Sequence, residues 1–476
     1  MVQKEGMSRF KPYSPDQAYL LPPSVKDELE EGHLCFFIQK VVERLDLSEF
    51  ERAYGVEGGP LYAPKMMLSV WLYAYATGLT SARGLERWIC EQLPLRYLAG
   101  GHRPDHWALS AFRRKHGRGI NDVFTQVVEF TREQGLGKLG VVAVDSTSIK
   151  ADNAKSRVDT EQRLRNRRAR IRRQIRWWQK QCDAHQNAVV AELSQQQRKR
   201  LEQELSTIPA RLQKLKKSGL KSQPRTDADC QLLHKRGKTI IGYKADIAVS
   251  EDHFIVAQRV SQEKTDNQSL QPMVEQVQKN CHQKPQKVVA DSGFYSNDNV
   301  ALLEKNNIDG FIPDSNMAAV LNKGVRLKGR AKAPEMKRMR AKLRTLEGRQ
   351  TYGQRKAIVE APFGTIKTQR DLARFRLRGK DKVAIEFTFS AIGFNLTRLQ
   401  AELDRNSPLW QRRRLRGQKH RTNCCNPSQD HAPWRGRLRE PLITHPLDRL
   451  PPLRPKPQCR LLLQVLTHSL KPTMIP

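Results

Sequence analysis

LGVVAVDSTSIKA, residues 139–151, is where the chain changes character. An apolar β-branched run, Val141 to Val144, ends in Asp145 and is followed by small polar residues. This predicts a buried strand with an aspartate at or near its carboxyl half. Downstream, strands are expected over 239–249 (TIIGYKADIAV), 254–260 (FIVAQRV), 287–294 (KVVADSGF) and 309–313 (DGFIP). Helices are expected between them over 269–280 and 297–307. The short link between the strands near 240–260 predicts a hairpin, so the expected sheet is mixed rather than all parallel.

Upstream, residues 20 to about 130 read as helical. Apolar residues in 21–45 recur at helical spacing, and a second apolar helix beginning PKMMLSVWLYAYA ends near Ala76-Thr77-Gly78. Ser81 is placed to cap the helix that follows. With RPDHWALSAFRRKHG next, this arrangement suits a helix-turn-helix DNA module or an ordinary helical bundle. The expected organisation is a helical N-terminal domain over 1–130, with DNA contact as one reading, then an α/β domain over 135–405.

Residues at about 155–225 interrupt the α/β pattern. EQRLRNRRARIRRQIRWWQKQ and the stretch ending ARLQKLKK predict two long helices, an inserted helical hairpin. Trp177 and Trp178 suit packing between those helices, with base stacking as the alternative. The arginine run reads as a solvated face or as a phosphate contact. Residues 406–476 are rich in Arg and Pro without sustained periodicity and read as a disordered tail.

The 476 residues include 85 Lys+Arg against 49 Asp+Glu, a formal net charge of +36. That excess points to a polyanionic partner, nucleic acid before membrane. A run of 18 apolar residues is missing, and MVQKEGMSRFKPYSPDQ has no apolar signal segment. The expected location is therefore the cytoplasm, in association with the nucleoid. None of the eight cysteines forms a CxxC pair, which argues against a zinc site or a disulfide framework.

Three carboxylates stand where a structural role explains them poorly. Asp145 and Asp291 each follow an apolar strand and precede a serine, and Glu360 sits in the basic stretch QTYGQRKAIVEAPFGTIKTQR. A buried carboxylate is costly unless paired or metal-bound. If the two strands are neighbours, both aspartates converge on one sheet edge, and a crossing helix adds Glu360. Such a set binds Mg²⁺. Asp152 and Asp246 read instead as turn or surface residues, Asp298 as part of a helix start, and His253 and His282 as ordinary.

The segments VVAVDSTSIKA, VVADSGFYS and YGQRKAIVEAPFGTIK resemble those of bacterial insertion-sequence transposases of the DDE type, in the branch with a Tyr-Arg-Glu-Lys signature. PDHWALSAFRRKH, GYKADIAV and RFRLRG are similar to that family as well, in the same order, across roughly residues 5–400. The resemblance implies a ribonuclease-H-like catalytic domain that cuts element ends and joins them to target DNA. It implies two divalent ions, Mg²⁺ or Mn²⁺, held by Asp145, Asp291 and Glu360. It also implies double-stranded DNA as partner and a homodimer or higher oligomer on that DNA. Other readings are a nuclease of the same fold without strand transfer, and a transposase-derived DNA-binding protein without catalysis.

In the signature, Tyr352 and Lys367 match as DNA contacts. Four residues separate Arg355 from Glu360 where the family has three, and Lys356 restores the gap. Helical spacing puts Tyr352, Lys356, Glu360, Phe363 and Lys367 on one face and favours Lys356, but Arg355 against Lys356 stays open at this point. Pro362 and Gly364 are expected to kink or end this helix just after Glu360.

Overall fold

The computed structural model describes residues 24–54, 61–184, 188–219, 221–235, 237–263 and 265–405. The tail expected at 406–476 lies outside them. The N-terminal half begins with α1 (Leu34–Val42), α2 (Ser48–Glu51), α3 (Pro64–Thr77), α4 (Ala82–Glu91), α5 (Leu93–Leu98), α6 (His106–Lys115) and α7 (Gly117–Glu133). Helix was expected throughout 21–45, yet α1 starts only at Leu34, after turns over 24–33. The acidic KDELEEG stretch has too little apolar surface to pack, and Gly32 takes φ 84°.

The turn after α3 follows the sequence expectation. Gly78 takes φ 89° at the C-cap, and Ser81 caps α4 by accepting from Gly84 N. Asp105 caps α6 in the same way, accepting from Ala108 N at 2.7 Å. One member of the basic end of α6 is unavailable to any ligand. Arg113 is buried, donates to Thr80 O at 3.1 Å, and lies 4.5 Å over the Trp71 ring.

The second half opens with β1 (Val141–Lys150) and β2 (Val158–Asp159), then α8 (Glu161–Ala184), α9 (Ala188–Ser218) and β3 (Gln223–Pro224). The two long helices expected in the insertion are α8 and α9, and β2 pairs with β3 at their base. Next come β4 (Gln231–Lys235), β5 (Lys238–Ser250) and β6 (Ile255–Ser261), then α10 (Leu270–Cys281), β7 (Lys287–Ala290), α11 (Asn297–Lys305) and β8 (Asp309–Phe311). The chain continues through α12 (Ser315–Lys323), α13 (Pro334–Arg344), α14 (Leu346–Gly364) and a π-helical turn, Thr365–Gln369, to α15 (Lys380–Arg405).

The sheet is mixed. β6 pairs antiparallel with β5, β5 antiparallel with β1, β1 parallel with β7, and β7 parallel with β8. β4 shares the outer edge of β5 with β6, along its first residues. The expected 240–260 hairpin is β5–β6, turning at His253 with φ 65°. β4 was not expected from the sequence.

Helices cover the sheet: α10 against β6 and β5, and α14 against β1, β5, β7 and β8. α15 is buried along most of its length and packs on α3, α7 and β6. One apolar core runs from Cys35 to Leu399. The hairpin has a second, small one: Leu164, Ile171 and Ile208.

Candidate active site

Val144 of β1 stands opposite Ala290 of β7 in parallel register. Asp145 and Asp291 are the next residues along, so both carboxylates arrive at the same end of two adjacent strands. β7 ends there, and Asp291 Oδ1 accepts from Gly293 N at 2.8 Å, which turns the chain into a short 3₁₀ segment. β1 continues. Asp145 Oδ1 accepts from Ser146 N at 2.8 Å, and its Oδ2 faces Arg355 Nη1 at 3.3 Å.

α14 brings the third segment to this edge. Thr345 caps it by accepting from Gly348 N at 3.0 Å, with Glu347 in the first turn. Tyr352, Ile358, Val359 and Pro362 are buried. Arg355 lies on this packed side and stacks 6.0 Å from the Tyr352 ring centroid. Burial raises the Tyr352 hydroxyl pKa; Arg355 opposes that shift, and Asp291 lies close enough to add to it.

The structure distinguishes the two basic residues left open by the sequence. Arg355 turns toward Asp145, whereas Lys356 and Glu360 are exposed. The single face drawn through Tyr352, Lys356 and Glu360 is therefore not the face that packs. Helix-wheel spacing fixes angles between residues but not which angle meets the sheet. Of the expected kink or end just after Glu360, the end does not occur. α14 runs on through Pro362 to Gly364 and continues as the π turn, where the proline's missing N–H leaves the ladder free to widen. Lys367 lies in that turn and donates to Thr147 Oγ1 of β1.

A cavity of about 490 Å³ adjoins α14, lined by Asn322, Arg349, Tyr352, Arg355 and Lys356 among others. Arg355 Nε is buried and has no acceptor among the described residues. Arg349, Arg355 and Lys356 make this cleft cationic, which suits an anion.

Among the described residues, no group of three or more His, Cys, Asp or Glu is placed to hold a metal ion. Register does bring Asp145 and Asp291 together, and both are hard oxygen donors. A Mg²⁺-like ion needs one or two protein carboxylates, with phosphate and water completing its shell, so this pair fits one. Glu360 sits on the helix packed against the same strands.

Two acidic residues escaped the sequence reading. Asp246 was expected at a turn or surface; it is wholly buried in mid-β5, opposite Ser146, whose Oγ donates to Asp246 Oδ1 at 2.7 Å. A neighbouring strand's polar side chain makes this burial tolerable, and one-dimensional sequence does not reveal that pairing. Asp266 pairs with Lys244 at 2.5 Å, and its Oδ2 would meet a Cβ on Gly293 at 2.5 Å, against the Asp291 turn. Asp152 pairs with Arg378, Asp298 lies in the first turn of α11, and His282 faces Glu129.

Comparison with family models matches residues 136–396 to the Transposase DDE domain and residues 23–115 to the Transposase domain (DUF772). No curated protein and no solved structure matches the chain. No helix among the described residues is long and apolar enough to cross a membrane. DDE domains have a ribonuclease-H-like fold and are metal-dependent enzymes that cut and join DNA; the strand order β6-β5-β1-β7-β8, three antiparallel strands and then two parallel ones, agrees with that fold. The DDE match spans more than half of the chain, with the second transposase model covering α1 to α6 before it, and the protein belongs to the DDE transposases of insertion sequences.

Proposed function

We propose that Asp145, Asp291 and Glu360 are the metal-binding carboxylates of this transposase, holding two Mg²⁺ or Mn²⁺ ions, and that the enzyme cuts the ends of its own element and joins them to target DNA. The observation that carries this reading is the register of β1 and β7, which delivers Asp145 and Asp291 side by side where β7 ends. When bound, the divalent ions supply activation of the attacking oxygen and stabilisation of the leaving one.

The chain's own residues have separate tasks in this reading. Asp145 on β1 and Asp291, the residue that follows β7, are held at the same end of adjacent strands, which holds the reacting phosphodiester at a rigid edge. Arg355 sits beside Asp145 and lines the adjoining cleft, so it binds a phosphate oxygen next to the reacting bond. Tyr352 and Lys356 line the adjoining cleft, which suits the DNA backbone leading to that bond. Lys367, anchored on Thr147 of the same strand, adds a cation there. In the first step water attacks the phosphodiester at an element end; the freed 3′-hydroxyl then attacks target DNA. A homodimer or higher oligomer brings two ends to one target.

The test is a cleavage and strand-transfer assay on DNA carrying the inverted repeats that flank the gene. Asp145→Asn, Asp291→Asn and Glu360→Gln should each lower Mg²⁺-dependent cleavage by roughly a thousandfold or more while end binding persists. A variant that still cleaves removes its residue from the set. Cleavage without joined product would make the enzyme a nuclease.

A further inference from the structure

The α8–α9 hairpin is far more charged than a structural insertion requires. α8 carries eight Arg and Lys180 against Glu161 and Asp183, so nine cations less two anions leaves +7 over 24 residues. Its packing against α9 uses a narrow apolar stripe, Leu164 and Ile171 with Ile175 behind them. At about 100° per residue, Arg165, Arg168, Arg172, Arg176 and Lys180 form a second stripe, and all five are exposed. Arg165 pairs with Glu161 at 2.6 Å. Arg168, Arg172, Arg176 and Lys180 have no ion pair among the described residues. A salt-bridge-laced solvent face would alternate charge signs, and like charges four apart destabilise a helix. This stripe therefore weakens the fold unless an anion covers it. Trp177 beside it is 53% exposed.

A second cationic feature lies at the foot of the hairpin, on the flank of α8 that carries Arg167. A cavity of about 610 Å³ there is lined by Arg157, Arg225 and Arg378, with Thr226 and Glu204. The carboxylate of Glu204 is already held by Arg167 at 2.8 and 2.7 Å, which lowers its pKa and leaves the cleft cationic. Arg378 is held by Asp152 at 2.7 Å, just beyond the end of β1. The foot itself is fixed: β2 pairs with β3, and Arg211 forms an ion pair with Asp159 of β2.

Distance along the chain places this cleft relative to the chemistry. Lys150, where β1 ends and bridges to Arg374, is five residues past Asp145. That is about 17 Å of strand, or roughly five nucleotides of duplex at 3.4 Å each. α8 extends about a further 36 Å, near one turn of B-DNA.

We propose that the foot cleft and the α8 stripe both bind phosphates of duplex DNA, and that the hairpin holds this DNA from about five base pairs beyond the reacting phosphodiester. The proposal rests on the reading above only for the position of that bond at Asp145. Phosphates match it better than an acidic protein surface does, because the cations are nearly all arginines set at regular helical intervals.

The test uses the full-length protein without divalent cation. Affinity for a duplex of about 40 base pairs is measured between 50 and 200 mM salt. Arg168→Gln/Arg172→Gln/Arg176→Gln should make the log–log salt slope shallower by about 3, and Arg157→Gln/Arg225→Gln by about 2, at about 0.9 per phosphate lost. Arg168→Lys/Arg172→Lys/Arg176→Lys should keep the wild-type slope, which separates charge loss from misfolding. On element-end DNA, hydroxyl-radical protection beyond about five base pairs from the cleaved bond should disappear in the glutamine variants while nearer protection remains. Unchanged slopes, or protection lost only next to the cleaved bond, would overturn the proposal. Glu360→Gln run alongside should keep both slope and footprint. If wild type footprints as expected yet does not cleave once Mg²⁺ or Mn²⁺ is added, the carboxylate assignment fails and the DNA contact of the hairpin stands.

Discussion

Arg355 shows how much one contact separates residues that the sequence leaves equivalent. It reaches Asp145 from the packed side of α14, while Lys356, its neighbour, stays exposed. Charge-assisted hydrogen bonds contribute about 1.5–3 kcal/mol. Arg355→Gln is therefore expected to slow cleavage by roughly ten- to a hundredfold, and Lys356→Gln by only a few fold, in single-turnover assays. Equal effects would mean that the contact with Asp145 gives Arg355 no special role. Asp246 makes a second residue-scale test. Burial raises its pKa, with Ser146, Lys244, Ser269 and Arg259 opposing the shift. A carboxyl raised in the folded state favours folding when protonated, and that contribution is lost as pH climbs from the ordinary value of 3.8 through the raised one. Asp246→Asn preserves the acceptor for Ser146 and removes the titration. The variant should gain stability over wild type as pH rises, by up to about 1.4 kcal/mol per pH unit within that window. Urea unfolding at a series of pH values reads it directly.

Elements meet through backbone approach as much as through side chains. Gly78 ends α3 with φ 89°, and an added Cβ would lie 3.1 Å from Arg370 Cα and from Gln369 O, at the end of the π turn. Gly78→Ala therefore combines left-handed strain with a clash, and should cost about 1–3 kcal/mol in unfolding experiments. It should also slow cleavage, because the same π turn positions Lys367 against Thr147. The π turn, the buried Arg113 and the late start of α1 have a common character. Each reflects a local sequence signal answered differently once neighbouring elements supply or remove hydrogen-bond partners.

At the scale of the molecule, the helical and α/β parts share one apolar core. α7 ends at Glu133 and β1 begins at Val141, where helices give way to sheet. However, α15, from the far end of the described chain, packs on α3 and α7 as well as on β6. Gly393 of α15 approaches the Ala76 backbone so closely that a Cβ would lie 2.9 Å from Ala76 N. A fragment of residues 1–130 alone would expose the apolar faces that α15 covers. It is expected to lack cooperative thermal unfolding, measured by calorimetry, whereas 24–405 should unfold cooperatively.

The sequence by itself determined the strand bearing Asp145, the strand that leads to Asp291, the long-helix insertion, the Gly78 turn and the excess of positive charge. These follow from local periodicity, capping chemistry and composition, all readable along one dimension. Motif resemblance also singled out Glu360. Tertiary structure decided which strands are neighbours, and therefore that Asp145 and Asp291 share an edge. It decided that Arg355 rather than Lys356 meets Asp145, and that Asp246 is interior rather than at a turn. Those outcomes depend on register and on the face each element turns to its neighbour. Strand period and helix angle leave both unspecified until the core is packed.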